Sequence, residues 1–85
     1  MKNIPEFRGA FGYVLRHRRE LAGLTQPELA VRIGGSEINI RTLERSKSSP
    51  SMVTFLLIAD ALDLDAREFL GEVLARIAFL KEGKD

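Results

Sequence analysis

Residues 23–50 read GLTQPELAVRIGGSEINIRTLERSKSSP, a stretch that holds two short helical segments separated by a glycine pair. Thr25 and Glu28 form the T-x-x-E pattern of a capping box, in which each residue satisfies a backbone amide at the start of a helix. A proline in the first helical turn is tolerated, because the amides there have no partner within the helix. The pattern therefore predicts a helix over residues 26–33.

The glycine pair predicts where this helix ends and the next begins. Gly34 falls at a position that needs a left-handed backbone, which glycine adopts without steric strain. Ser36 is a typical N-cap, and it predicts a further helix over about residues 37–45. Residues 25–45 are thus predicted to form two helices joined by a tight turn, as in a helix-turn-helix motif.

The sequence on both sides of this motif keeps a helical period of 3.6 residues, with no sustained alternation of the kind that marks a strand. We predict a first helix from about Pro5 to Ala22, a fourth over residues 52–62 after a Ser51 cap, and a fifth over residues 66–81. The chain is therefore predicted to be a single all-α domain of five helices over residues 1–85. The predicted core comprises Phe7, Phe11, Val14, Leu15, Leu29, Ala30, Ile33, Ile40, Leu43, Met52, Phe55, Leu56, Ala59 and Leu62.

The composition excludes several classes of function. The 85 residues include no cysteine and one histidine, His17, so we expect no disulfide, no metal site, no cofactor and no enzymatic activity. No apolar run approaches the ~20 residues that a membrane-spanning helix needs, and the N-terminus lacks the apolar core of a signal peptide. We expect a cytoplasmic protein without a membrane partner.

The charges are unevenly distributed along the chain. Residues 1–50 hold nine Lys and Arg against five Asp and Glu, whereas residues 51–85 hold four against seven. The first part therefore carries a net charge of +4 and the second −3. This asymmetry favours a polyanion on one face and a different partner on another, although solvated helices also show such clustering by chance.

The predicted third helix has an outward face that suits base recognition. With Ile40 and Leu43 directed inward, the remaining side chains include several that can pair with base edges: Arg41 with guanine, Asn39 with adenine, and Glu37 with cytosine. A solvated face without a partner fits the same pattern. The predicted DNA-contacting residues are Gln26, Ser36, Glu37, Ile38, Asn39, Arg41, Thr42, Arg45 and Lys47.

The chain resembles the Cro/CI-like (XRE) helix-turn-helix family of phage repressors and bacterial regulators. The similarity lies in LRHRRELAGLTQPELAVRIGGS (15–36), in I-x-x-L-E-R-x-K (40–47), in the dipeptide Pro50-Ser51 and in TFLLIADAL (54–62). The resemblance implies a five-helix, lambda-repressor-like DNA-binding domain with an extended C-terminal helix. It also implies that Arg19 and Glu44 pair to tie the first helix to the end of the third.

Three positions depart from the family pattern. Gly35 stands where relatives usually have an apolar residue, and Ser46 stands where they usually have glycine. Asp63 replaces a common glycine after the fourth helix, although Asp tolerates a left-handed backbone better than most residues.

The fourth and fifth helices carry more apolar residues than one thin core needs. We therefore expect a homodimer, which would place two third helices on a palindromic stretch of double-stranded DNA. The alternative function is a protein-binding module, such as an antitoxin-type partner of a toxin, that uses the same apolar surface. The predicted dimer contacts are Val53, Leu57, Val73, Leu74, Ile77 and Leu80.

Overall fold

The computed structural model describes residues 1–83, and every regular element in that range is an α-helix. The five helices are α1 (Phe7–Leu21), α2 (Gln26–Ile33), α3 (Glu37–Glu44), α4 (Met52–Ala61) and α5 (Ala66–Lys81). The predicted all-α, five-helix fold is confirmed. The bounds of α2 and α5 are those predicted, whereas α1, α3 and α4 each end one residue earlier and α1 begins two residues after Pro5.

Side-chain caps begin four of the helices. The Thr25 hydroxyl accepts from the amide of Glu28 at 3.2 Å, while the Glu28 carboxylate accepts from the amide of Thr25 at 2.8 Å, which completes the predicted capping box. Ser36 and Ser51 cap α3 and α4 in the same way. Asp65 caps α5, and hydrogen bonds from the side chain and backbone of Arg67 hold the pKa of Asp65 at about 2.

Each of the five helices is followed within two residues by a residue with a left-handed backbone; after α5 this is Gly83, with φ of 69°. Gly23 and Gly34 take this role after α1 and α2, with φ of 72° and 69°. Ser46 and Asp63 take it after α3 and α4, with φ of 62° and 56°, so the turn geometry is kept where glycine is absent. A side chain in this conformation is strained, because its Cβ approaches the following carbonyl oxygen.

Three phenylalanines join α1, α4 and α5 at the centre of the core. The rings of Phe55 and Phe69 stack with centroids 4.9 Å apart, and the Phe11 ring lies 5.8 Å from Phe69 and 6.0 Å from Phe55. Aromatic pairs at this spacing add to the stabilisation from burial alone. The fully buried large side chains are Phe11, Phe69, Leu15, Leu29, Ile40, Leu43, Ile58 and Val73.

The prediction that Met52 and Leu56 belong to the core is wrong. Their exposed fractions are 69% and 48%, and Ile58 is fully buried instead. Because α4 is apolar around most of its circumference, its sequence period does not indicate which side faces inward. Packing against α2 and α5 selects Phe55, Ile58 and Ala59.

Gly12 sets the distance between α1 and α3. A Cβ atom at this buried position would lie 2.7 Å from the carbonyl oxygen of Leu43 and 3.0 Å from that of Glu44. Both atoms belong to the backbone, so they cannot move aside as a side chain would. The close approach of α1 to the C-terminal end of α3 therefore requires a residue without a side chain at position 12.

We expect Gly12→Ala to lower the free energy of unfolding by about 1–3 kcal/mol, because the added methyl forces α1 away from α3. Gly71→Ala in α5 is the matched control, since nothing lies within 4 Å of its Cβ position. There the better helix propensity of alanine should raise stability by about 1 kcal/mol. Urea unfolding followed by circular dichroism measures both, and equal effects in the two variants would contradict the proposed steric role of Gly12.

Candidate nucleic-acid interface

One side of α3 packs into the core and the other lies open to solvent. Ile40 and Leu43 are buried, whereas Ile38 keeps an exposed fraction of 67%. The predicted DNA-contacting residues all lie on the N-terminal part of α2, on α3 or in the segments directly before and after α3. Ser36, Glu37, Ile38, Asn39, Arg45 and Lys47 are exposed, and Gln26, Arg41 and Thr42 are partly exposed.

Two contacts order the exposed face of α3 internally. Arg41 donates to the Glu37 carboxylate at 2.7 Å, one helical turn away. The Thr42 hydroxyl donates to the carbonyl oxygen of Ile38 at 2.7 Å. Between its first and fifth residues, the face therefore presents a neutral ion pair and not an isolated cation.

The C-terminal end of α3 is held to α1 by a nearly buried ion pair. Arg19 donates through Nε to Glu44 Oε2 at 2.6 Å and through Nη2 to Oε1 at 2.9 Å, a two-point contact of parallel hydrogen bonds. Only 11% and 4% of the two side chains are exposed. The hydrogen bonds to Glu44 raise the pKa of the Arg19 guanidinium above its ordinary value, so this cation stays charged.

The same ion pair also reaches the start of α2. Arg19 Nη1 donates to the carbonyl oxygen of Leu24 at 2.8 Å, and Gln26 Nε2 donates to Glu44 Oε1 at 3.1 Å. Gln26 is a predicted DNA contact, but its side-chain amide nitrogen donates a hydrogen bond to Glu44 within the protein. The first helical turn of α2 and the last turn of α3 are fixed relative to each other through Glu44.

The structure adds a basic residue that the sequence motif did not indicate. Arg8, in the first turn of α1, donates to the carbonyl oxygen of Lys47 at 3.4 Å across 39 residues of sequence. This contact brings its charge close to the segment after α3, where Arg45 and Lys47 are exposed. No local signal in the sequence places residue 8 near residue 47, because their proximity depends on the packing of α1 against α3.

The predicted dimer contacts on α5 need correction. Val73 is fully buried and Ile77 is 8% exposed, because this side of α5 packs into the core of the same chain. Leu80 is partly buried against that core. The assignment of Val73 and Ile77 to an interface between chains is therefore wrong, and Leu74 alone of the four predicted α5 residues is exposed.

The side chains of α4 and α5 that remain outside the core form an apolar surface. Met52, Leu56 and Leu70 line a shallow groove together with Phe7 and Phe55. Val53 and Leu57, which lie one helical turn apart on α4, are also exposed. We call this the α4–α5 apolar patch; its members are Met52, Val53, Leu56, Leu57, Leu70 and Leu74.

No group of three or more His, Cys, Asp or Glu side chains in residues 1–83 is arranged to hold a metal ion. None of the helices in that range has the length and apolar character to cross a membrane.

Comparisons with known proteins give a consistent result. Residues 10–70 match the family described as a helix-turn-helix domain. An uncharacterized HTH-type transcriptional regulator of Methanothermobacter thermautotrophicus is 47% identical over 49 residues, which cover 58% of this chain and 70% of that protein. The crystal structure of the clp gene regulator ClgR from Corynebacterium glutamicum is similar, with a TM-score of 0.85 and 28% identity over 93% of this chain and 84% of ClgR.

We expect Glu44→Ala to lower the free energy of unfolding by about 3–5 kcal/mol, because it leaves the nearly buried Arg19 charge without an opposite charge. Glu20→Ala is the control, since it breaks the exposed pair with Arg16 and should cost at most about 1 kcal/mol. Denaturant unfolding measures the difference. A loss at Glu44 no larger than that at Glu20 would show that the nearly buried pair does not hold α1 to α3.

Proposed function

The chain belongs to the helix-turn-helix domain family, and on this premise we propose that it is a sequence-specific DNA-binding transcriptional regulator. The observation that carries the proposal is the exposed face of α3, which is fixed at one end by the Ser36 cap and at the other by the Arg19–Glu44 pair. A helix held in this way is rigid enough to enter the major groove with its N-terminal residues towards the bases.

The proposed contacts fall into two kinds. Asn39 and Arg41 offer hydrogen bonds to base edges, and Ile38 offers an apolar contact to a thymine methyl group. Arg45 and Lys47 follow the last turn of α3, where cations suit phosphate contacts that position the protein without reading sequence. Arg8 joins them, because its contact with Lys47 places it on the same side of the domain. Gln26 and Ser36 lie at helix N-termini, which favour a nearby phosphate.

We infer that the protein acts as a homodimer on a palindromic operator. Two-fold symmetry places two copies of α3 about one DNA turn apart, about 34 Å, on the same side of the duplex. The α4–α5 apolar patch supports this inference, because an exposed patch of this kind usually marks a contact surface. We propose repression as the regulatory effect, because a dimer on an operator blocks access of polymerase to that DNA.

A second candidate function follows from the same patch. An antitoxin-type protein-binding module would cover Met52, Val53 and Leu57 with a partner of a different sequence. The neutral Glu37–Arg41 pair also favours a protein-binding module, because it lowers the positive charge available for DNA. Selection from random duplex DNA separates the two candidates, because only the regulator enriches a palindromic motif.

We expect Arg45→Ala or Lys47→Ala to weaken binding to all duplexes alike and to reduce the slope of log affinity against log salt by about 1 each. Asn39→Ala should instead cost about 1–3 kcal/mol of discrimination at one base pair. Fluorescence anisotropy at several salt concentrations measures both effects. Arg16→Ala on α1 is the control and should change neither, whereas an equal slope change for Arg16 would show that net charge alone drives binding.

We expect light scattering after size exclusion to give twice the 9.5 kDa mass of one chain at micromolar concentration. Leu57→Glu should return the mass to that of a monomer, because it places a charge inside the apolar contact. Val31→Glu is the matched control, since Val31 is an exposed apolar residue on α2, outside the patch. A monomeric wild-type protein would rule out the dimer.

A further inference from the structure

The Glu37–Arg41 ion pair joins the first and fifth residues of α3, and the N-terminal residues of a recognition helix are the ones that contact base edges. Both side chains remain accessible, with exposed fractions of 44% and 39%. They are nonetheless joined at 2.7 Å through Arg41 Nη2 and Glu37 Oε2. The structure thus presents these residues as one connected group.

The outer edge of this pair keeps hydrogen-bonding capacity. Within residues 1–83, Arg41 makes one protein hydrogen bond through its guanidinium, which leaves four of its five N–H groups for a ligand. Glu37 Oε1 likewise has no protein donor in that range. Along the outer edge of the pair, from Arg41 towards Glu37, the available groups are two N–H donors of Arg41 followed by one acceptor, Glu37 Oε1.

We propose that Glu37 and Arg41 read a single G·C base pair together, as one hydrogen-bonding unit. This inference rests on the proposed function, since it names the base pair that the α3 face selects. Arg41 donates to guanine N7 and O6, and Glu37 accepts from the N4 amino group of the paired cytosine. The ion pair between them persists in the complex.

The major-groove edge of G·C matches this order. Guanine N7 and O6 are acceptors and cytosine N4 is a donor, so the edge reads acceptor, acceptor, donor. An A·T pair presents adenine N7, adenine N6 and thymine O4, which read acceptor, donor, acceptor. There the second donor of Arg41 faces an amino group, and Glu37 faces a carbonyl oxygen. Both contacts are repulsive. The pair therefore selects G·C over A·T by repelling A·T as well as by binding G·C.

The charge balance of the pair has a further consequence. A lone carboxylate near DNA phosphates is repelled, whereas a lone Arg is attracted to any sequence. Joined, the two contribute little net charge to binding of arbitrary duplexes. Glu37 therefore reduces non-specific affinity and makes binding by this part of α3 depend on the matching base pair.

The test compares the wild-type protein with Glu37→Gln, which keeps the shape of the side chain, removes its charge and offers either a donor or an acceptor. Each protein is used to select from random duplex DNA, and binding is then measured to the enriched duplex and to versions with one G·C pair replaced by A·T. At the replaced position, we expect the wild-type protein to bind the duplex with G·C about tenfold or more tightly than the duplex with A·T. Glu37→Gln should lose most of this preference and bind unrelated duplexes more tightly.

Glu20→Gln is the matched control. It removes the same charge from the Arg16–Glu20 pair, which has the same spacing of four residues on α1. We expect this variant to keep the G·C preference. Retention of the full preference by Glu37→Gln, or its equal loss in Glu20→Gln, would overturn the inference while leaving the proposed function intact. Failure of the wild-type protein to enrich any motif would overturn both.

Discussion

The ion pair between Arg19 and Glu44 is the constraint on which the arrangement of the domain depends. It joins α1 to the last turn of α3 and, through Gln26 and the carbonyl oxygen of Leu24, to the start of α2. Gly12 makes this contact sterically feasible, because it lets the backbones of α1 and α3 approach. The exposed face of α3 is therefore held at a fixed angle by groups that lie behind it.

Electrostatics divide the proposed DNA interface into two parts. Arg8, Arg45 and Lys47 carry positive charge at its edge, where phosphates are expected. The exposed face of α3 between Glu37 and Arg41 is nearly neutral, because the two charges compensate each other. A net charge of +1 over the whole chain is therefore compatible with DNA binding that depends strongly on sequence. In the proposed interface, affinity from phosphates and discrimination from bases would come from different residues.

The distribution of apolar residues follows from the small size of the domain. α1, α4 and α5 meet around the Phe11, Phe55 and Phe69 rings, and α5 contributes Val73 and Ile77 to the same core. This leaves the α4–α5 apolar patch outside the core. A chain of 85 residues buries a limited fraction of its surface, so a second chain on this patch would bury area that one chain alone exposes.

The sequence by itself determined the five helices and their caps, because capping boxes, N-cap serines and helix-ending residues act within a few positions of each other. It also indicated which residues of α3 face outward, since Ile40 and Leu43 are apolar among polar neighbours. The tertiary structure alone decided which side of α4 is buried, which α5 residues belong to the core, and that Arg8 lies beside Lys47. These outcomes depend on packing between distant segments, and an apolar helix carries no periodic signal that specifies its partner.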